Sequence, residues 1–198
     1  MLDELRQRLA AHTPRDLYND RSFPEAAVLL PITCNEELVL TLRATGLSTH
    51  SGEVAFPGGR RDPDDLDLIQ TALREAEEEI ALPSGVVEVI TPLSTLVSRH
   101  GIKVTPFVGF IPDSVPYKPN DGEIAAVFSV PLEFFRDDPR ETTHRIDYSG
   151  RHWFVPAYRF GEYKIWGLSA IMLVELLNLL YDARIDLHRP PERFVSLR

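Results

Sequence analysis

Three glutamates carry the most legible chemistry in this chain. Glu75, Glu78 and Glu79 stand together in a helix-forming stretch, so Glu75 and Glu79 fall one turn apart and Glu78 neighbours Glu79. Carboxylates one turn apart repel each other, and burying either is costly unless it is paired. A divalent cation removes both penalties. Mg²⁺ and Mn²⁺ take oxygen ligands, and Mg²⁺ is commonly held by one or two carboxylates together with substrate phosphates. Upstream, Gly58 and Gly59 follow Pro57. The pair predicts a tight turn whose N–H groups can approach a phosphate closely. An acidic run by itself reads as a solvated helix face; the glycine pair just before it is what argues for a site.

The element that must position these glutamates is a helix over 67–81. Asp64 or Asp65 can cap it, and Asp67 places a negative charge in the first turn, where the dipole favours one. Pro83 and Gly85 stop it. At about 100° per residue, Ile69, Leu73, Ala76 and Ile80 form an apolar stripe with Ala72 at its margin. Asp67, Gln70, Arg74, Glu77 and Glu78 lie opposite. Glu75 and Glu79 fall at the edge of the stripe, beside Leu68 and Ala72. Arg74 is one turn from Glu78 and can pair with it.

The stretch from Arg74 to Leu82, REAEEEIAL, resembles the REUxEExGU core of the Nudix box, where U is a bulky aliphatic residue. Ala76 is a small residue at a U position, and Ala81 stands where the box has glycine. The glutamate usual after the glycine turn is missing. Asp65 stands nearest, one residue further from Arg74, and is a candidate ligand in its place. The resemblance implies hydrolysis of a nucleoside diphosphate linked to another group, with Glu75, Glu78 and Glu79 as ligands of Mg²⁺ or Mn²⁺. Leu40 to Gly59 resembles the longer motif of the coenzyme A pyrophosphatase subfamily, LLTxR(S/T)xxxRxxxGxxxFPGG. Leu40, Thr41, Arg43, Gly52, Phe56, Pro57, Gly58 and Gly59 match in register. Ala44 replaces Ser or Thr, and Ser48 replaces the second arginine. Arg43, at a strand end, is a candidate phosphate contact. Asp121 to Leu132 resembles the family's later loop and strand, which makes Glu123 a candidate further ligand or general base. The implied substrate is coenzyme A or a derivative. Alternatives are another diphosphate, such as ADP-ribose or a dinucleotide, or a module that binds a nucleotide without cleaving it.

The 198 residues, 43% hydrophobic and 26% charged, suit one globular domain spanning 1–198, with the box at about 58–82 and the upstream motif at about 40–59. A net charge of −9 argues against a general nucleic-acid binder, which needs a basic face. Metal and local arginines can still draw an anionic small molecule to an acidic protein. Cys34 is the only cysteine, so no intrachain disulfide forms and a reducing cytoplasm fits. No apolar run reaches membrane-span length, the charged N-terminus does not read as a signal peptide, and the six histidines lack zinc spacing.

Around the box the pattern predicts a short helix over 2–11 and a hairpin of 26–32 with 38–43. Strands follow over 86–96 and 102–111, joined by a turn that can present Arg99 or His100. A Pro-rich loop runs over 112–120, a helical turn over 132–136, and a hairpin of 142–148 with 152–158. Tyr148, Trp153, Phe154, Tyr158, Phe160 and Tyr163 form an aromatic group that can line an adenine or pantetheine pocket or fill the core. The last helix, 168–181 with a cap near Ser169, is apolar nearly all round and must be buried or cover a subunit interface, as in a homodimer. The fold expected is α/β, a mixed sheet sandwiched between the 67–81 and 168–181 helices, as in the Nudix α/β/α sandwich.

Overall fold

The computed structural model describes residues 2–15, 22–45, 52–148 and 150–191. In chain order these form α1 (Leu2–Ala10), β1 (Glu25–Thr33), β2 (Glu37–Arg43), β3 (Val54–Ala55), β4 (Gly58–Arg60) and α2 (Leu68–Ile80). Next come β5 (Glu88–Pro92), β6 (Leu96–Val97), β7 (Lys103–Ile111), β8 (Ile124–Pro131), β9 (Arg140–Tyr148), β10 (Arg151–Phe160), β11 (Tyr163–Ile165) and α3 (Gly167–Tyr181). A 3₁₀ turn at Leu132–Phe135 stands where the helical turn was expected.

The centre is β1, whose run AAVLLPI is apolar without alternation. Such a run suits a strand covered on both faces, and β1 pairs in parallel with β7 along its whole length, from Glu25 opposite Lys103 to Thr33 opposite Ile111. Its other edge is shared. β4 pairs with Ala26 to Val28, and β2 meets β1 at Ile32, beside the hairpin turn. β2 then carries β3 and β8, both antiparallel, and completes an eight-stranded mixed sheet.

Side-chain alternation divides the core into two layers. Ala27, Leu29, Val39, Phe107 and Ile111 face Ala72, Ala76 and Ile80 of α2. Leu30, Ile32, Leu38, Leu40, Val108 and Phe110 face the layer holding Leu173, Val174 and Leu177 of α3. This is the expected α/β/α sandwich. α3 is apolar all round because α1 and β10 also pack on it, so its apolar circumference is covered within the chain.

Several expectations need correction. The sheet is not single: β9, β10 and β11 form a separate three-stranded sheet, set off after the 3₁₀ turn where Asp138 adopts φ 50°. The buried face of α2 is Thr71, Ala72, Ala76, Glu79 and Ile80, while Ile69 is 38% exposed. Leu68 still packs against the sheet-side core, so the buried stripe is rotated from its ideal projection, with Thr71 inside it and Ile69 outside. The N-cap is Asp67, whose carboxylate accepts from the Gln70 N–H at 2.8 Å, rather than Asp64 or Asp65. α3 has no side-chain cap because its N-cap is Trp166, whose indole cannot accept a hydrogen bond; Ser169 lies inside the helix and donates to the Val54 carbonyl at 3.1 Å. Among the described residues no helix is long and apolar enough to cross a membrane.

Candidate active site

Four elements bring the site together at one end of the large sheet. α2 contributes Glu75, Glu78 and Glu79. β2 ends on Arg43, which pairs across a bulge with Ile124. Glu123 precedes Ile124, and its carbonyl accepts the Ala44 N–H at 2.8 Å. β4 runs beneath the helix and begins with Gly58.

Glu79 is 3% exposed and both its oxygens are engaged. Arg43 Nη1 donates to Oε1 at 3.1 Å, and the Gly58 N–H donates to Oε2 at 3.0 Å. These contacts do not offset its burial. Its pKa is pushed up to about 7, chiefly by desolvation, with added repulsion from Glu75 and Glu123. Burial likewise raises Glu75, against the opposing pull of Arg74. Glu78 lies outermost, its side chain 58% exposed, and takes Arg74 Nη1 at 3.1 Å.

The glycines act differently from their predicted role. Gly58 and Gly59 lie in a strand, not a turn, and the Gly58 N–H serves Glu79 instead of pointing at an open phosphate site. Their common property is close approach. A Cβ at Gly58 would meet the Ala27 carbonyl oxygen at 2.4 Å, and one at Gly59 would meet the Glu75 carboxyl at 2.4 Å. Lacking a side chain here lets β4 lie against β1 and leaves Glu75 its room.

Asp65 is a brace rather than a ligand. Arg74 forks onto it through Nε at 3.0 Å and Nη2 at 3.1 Å, and it also accepts from the Thr71 hydroxyl at 2.8 Å and the Asp62 N–H at 2.9 Å. With these donors its oxygens are spoken for, and Arg74 holds its pKa well below the usual carboxylate range. Arg74 also reaches Glu75 at 3.0 Å and the Arg60 carbonyl at 3.0 Å. It ties the loop, β4 and the glutamate row into one unit.

Among the described residues no group of three or more His, Cys, Asp or Glu side chains is arranged so that it could hold a metal ion. What fits a cation is the donor chemistry: carboxylate oxygens only, with Glu75 and Glu79 destabilised as anions by burial and by their acidic neighbours.

A cleft of about 930 Å³ opens beside this cluster. Arg43 and Gly58 border it at the α2 side; the turn holding Arg99 and His100, and His144, Trp153 and Trp166 from the small sheet and its exit, form other walls. Arg43 Nε is buried without a partner. Of the expected aromatic group, Trp153 reaches the cleft, whereas Tyr158 is fully buried and donates its hydroxyl to Asp138 at 3.0 Å. Sequence reasoning did not find His144 or Trp166 as wall residues. They lie far along the chain from the box, and nothing in their local pattern points to it. Ser48 lies outside the described residues.

Residues 23–154 match the family described as NUDIX domain. With that match and the relatives below, the chain belongs to the Nudix hydrolase family. It is 46% identical over 153 residues to a protein of Yersinia pestis (strain Pestoides F) called "Uncharacterized Nudix hydrolase NudL", covering 76% of this chain and 77% of that one. Among solved structures, it is similar to a Nudix hydrolase from M. smegmatis, RenU, at 25% identity and TM-score 0.47, over 58% of this chain and 74% of that one. It is also similar to a C. elegans Ap4A hydrolase binary complex, at 20% identity and TM-score 0.47, over 55% and 80%.

Proposed function

We propose that the protein hydrolyses the diphosphate of coenzyme A or its derivatives, yielding adenosine 3′,5′-bisphosphate and 4′-phosphopantetheine. The observation that carries this reading is the cleft. Its volume of about 930 Å³ is at the upper end of the roughly 300–1,000 Å³ typical of ligand sites, and Arg43 and Gly58, the two hydrogen-bond partners of buried Glu79, line part of it. That suits a diphosphate with a large group on either side. The upstream motif resemblance from Leu40 to Gly59 supports the same substrate.

Glu75, Glu78 and Glu79 hold Mg²⁺ or Mn²⁺ in this reading. The bound cation supplies neutralisation of the diphosphate and acidification of a water. Arg43, which lines the cleft, orients a phosphate oxygen. Glu78 or Glu123, the two exposed carboxylates of the cluster, accepts the proton as the water's oxygen bonds to phosphorus and the bridging P–O bond breaks. The single cysteine suits a reducing cytoplasm.

The test is kcat/KM for coenzyme A, dephospho-coenzyme A and ADP-ribose at fixed Mg²⁺ and salt. Coenzyme A should be preferred, because a site that pairs its 3′-phosphate leaves basic groups unmatched with the other two. If ADP-ribose is the better substrate, the coenzyme A assignment fails while diphosphate hydrolysis stands.

A further inference from the structure

The wall of the cleft formed by the small sheet and its exit carries features that phosphate hydrolysis does not use. Both tryptophans of the chain, Trp153 and Trp166, line it. Trp166 is 38% exposed, an unusual state for an indole in a concave wall. Its ring lies 5.9 Å from the His144 ring at 58°, and the Lys164 ammonium sits 5.8 Å from its centroid. Nε2 of His144 is shielded from solvent and has no hydrogen-bond partner. Burial, and then the charge of Lys164, hold the His144 pKa below the usual histidine value, which favours the neutral ring. A shielded, unpartnered ring nitrogen is costly unless something else meets it.

This wall is joined to the phosphate end by short, ordered steps. Ser169, in the first turn after Trp166, donates to Val54 of β3. β3 pairs with Thr41 and Leu42, immediately before Arg43. Arg43 and Trp166 line the same cleft, so one ligand can touch Arg43 with its phosphates and Trp166 with another part.

We propose that Trp166 and His144 form the subsite for the nucleobase of the substrate, with the base stacked on the Trp166 indole and its edge against the His144 ring. The inference rests on the reading of the site as a nucleoside diphosphate hydrolase and adds which residues recognise the nucleoside. Stacking on an indole accepts any base, so adenine enters as the base of the substrate proposed above and is not selected by these two rings. The ligand class is an adenine nucleotide.

5′-AMP has no diphosphate to cleave, so calorimetric titration with it separates base recognition from turnover. The wild type should bind 5′-AMP more tightly than ribose 5-phosphate, and 5′-AMP alone should quench tryptophan emission. Trp166→Leu and His144→Leu should each weaken 5′-AMP binding about ten-fold and leave ribose 5-phosphate unchanged. Trp166→Phe, which keeps a stacking ring at the start of α3, should restore most of the affinity and rules out misfolding as the cause. Equal affinity of the wild type for both compounds, or undiminished 5′-AMP affinity in either leucine variant, overturns the subsite. Hydrolysis kinetics on the same proteins distinguish the two failures. A wild type that binds 5′-AMP through Trp166 yet cleaves no diphosphate sinks the hydrolase reading alone. Active hydrolysis of an adenine-bearing diphosphate with unchanged KM in Trp166→Leu sinks the subsite alone.

Discussion

Glu79 and Glu77 stand two residues apart on α2 and have opposite surroundings. Glu79 is buried between Arg43 and Gly58, whereas the Glu77 side chain is exposed. Glu79→Gln should therefore cost about 100-fold in kcat, the equivalent of roughly 3 kcal/mol of transition-state stabilisation, while Glu77→Gln changes little. Equal kinetics for the two variants would remove Glu79 from the site. Two residues on, Ala81 ends the helix at φ 55° and ψ 35°, with its N–H on the Glu77 carbonyl. Glycine usually fills this left-handed position, because a Cβ there is strained. Ala81→Gly should raise stability by about 0.5–1 kcal/mol, read as a higher urea midpoint at unchanged slope. A lower midpoint would mean that the helix end tolerates alanine without strain.

α2 keeps its glutamates in place because Arg74 clamps it to the preceding loop. Arg74→Ala strands Asp65, whose side chain is 3% exposed, and should destabilise the protein by on the order of 3 kcal/mol. The same pair sets an acid limit. The folded-state pKa of Asp65 is depressed, so its contribution is fully present above the ordinary aspartate pKa of 3.8 and is lost as pH falls towards the folded value. Stability of the wild type should drop below about pH 4 more steeply than that of Arg74→Ala; parallel curves would show that Asp65 does not titrate through this contact. The helix span and its three glutamates were legible because they depend on periodicity and end signals within a few residues. Its buried face was legible only in part. The preceding loop lays Asp65 on the Thr71 hydroxyl and covers it while Ile69 faces out, and no local pattern records that. The roles of Gly58 and Gly59 were hidden for the same reason, since they follow from Glu75, Glu79 and β1 lying against them. Asp65 looked like a ligand because spacing registers a carboxylate and not the four donors that fill it.

At the scale of the whole molecule, two buried or half-buried carboxylates facing Glu123 make the fold itself sensitive to cations. Hydrolysis should vanish with excess EDTA and return with Mg²⁺ or Mn²⁺; full turnover in chelator would exclude the metal role. Mg²⁺ at about 100 times its Kd should also stabilise the protein by roughly 2.7 kcal/mol, visible as a raised Tm that Glu79→Gln diminishes. The division into a large and a small sheet was not legible in the strand pattern, because alternation says which residues point inward and not which strands share an edge. The parallel pairing of β1 with β7 reaches further. Its partners, Glu25 and Lys103, are roughly 80 residues apart, and the intervening chain contains α2 and all of β2 to β6. Joining them closes a long loop before any neighbouring contact repays the entropy, which makes such a topology slow to assemble. The glutamate row is strung inside that loop. In refolding, far-ultraviolet circular dichroism should therefore recover ahead of enzymatic activity, and a fragment ending before Lys103 should gain helix without gaining catalysis, since the chain must close this ring before it owns an active site.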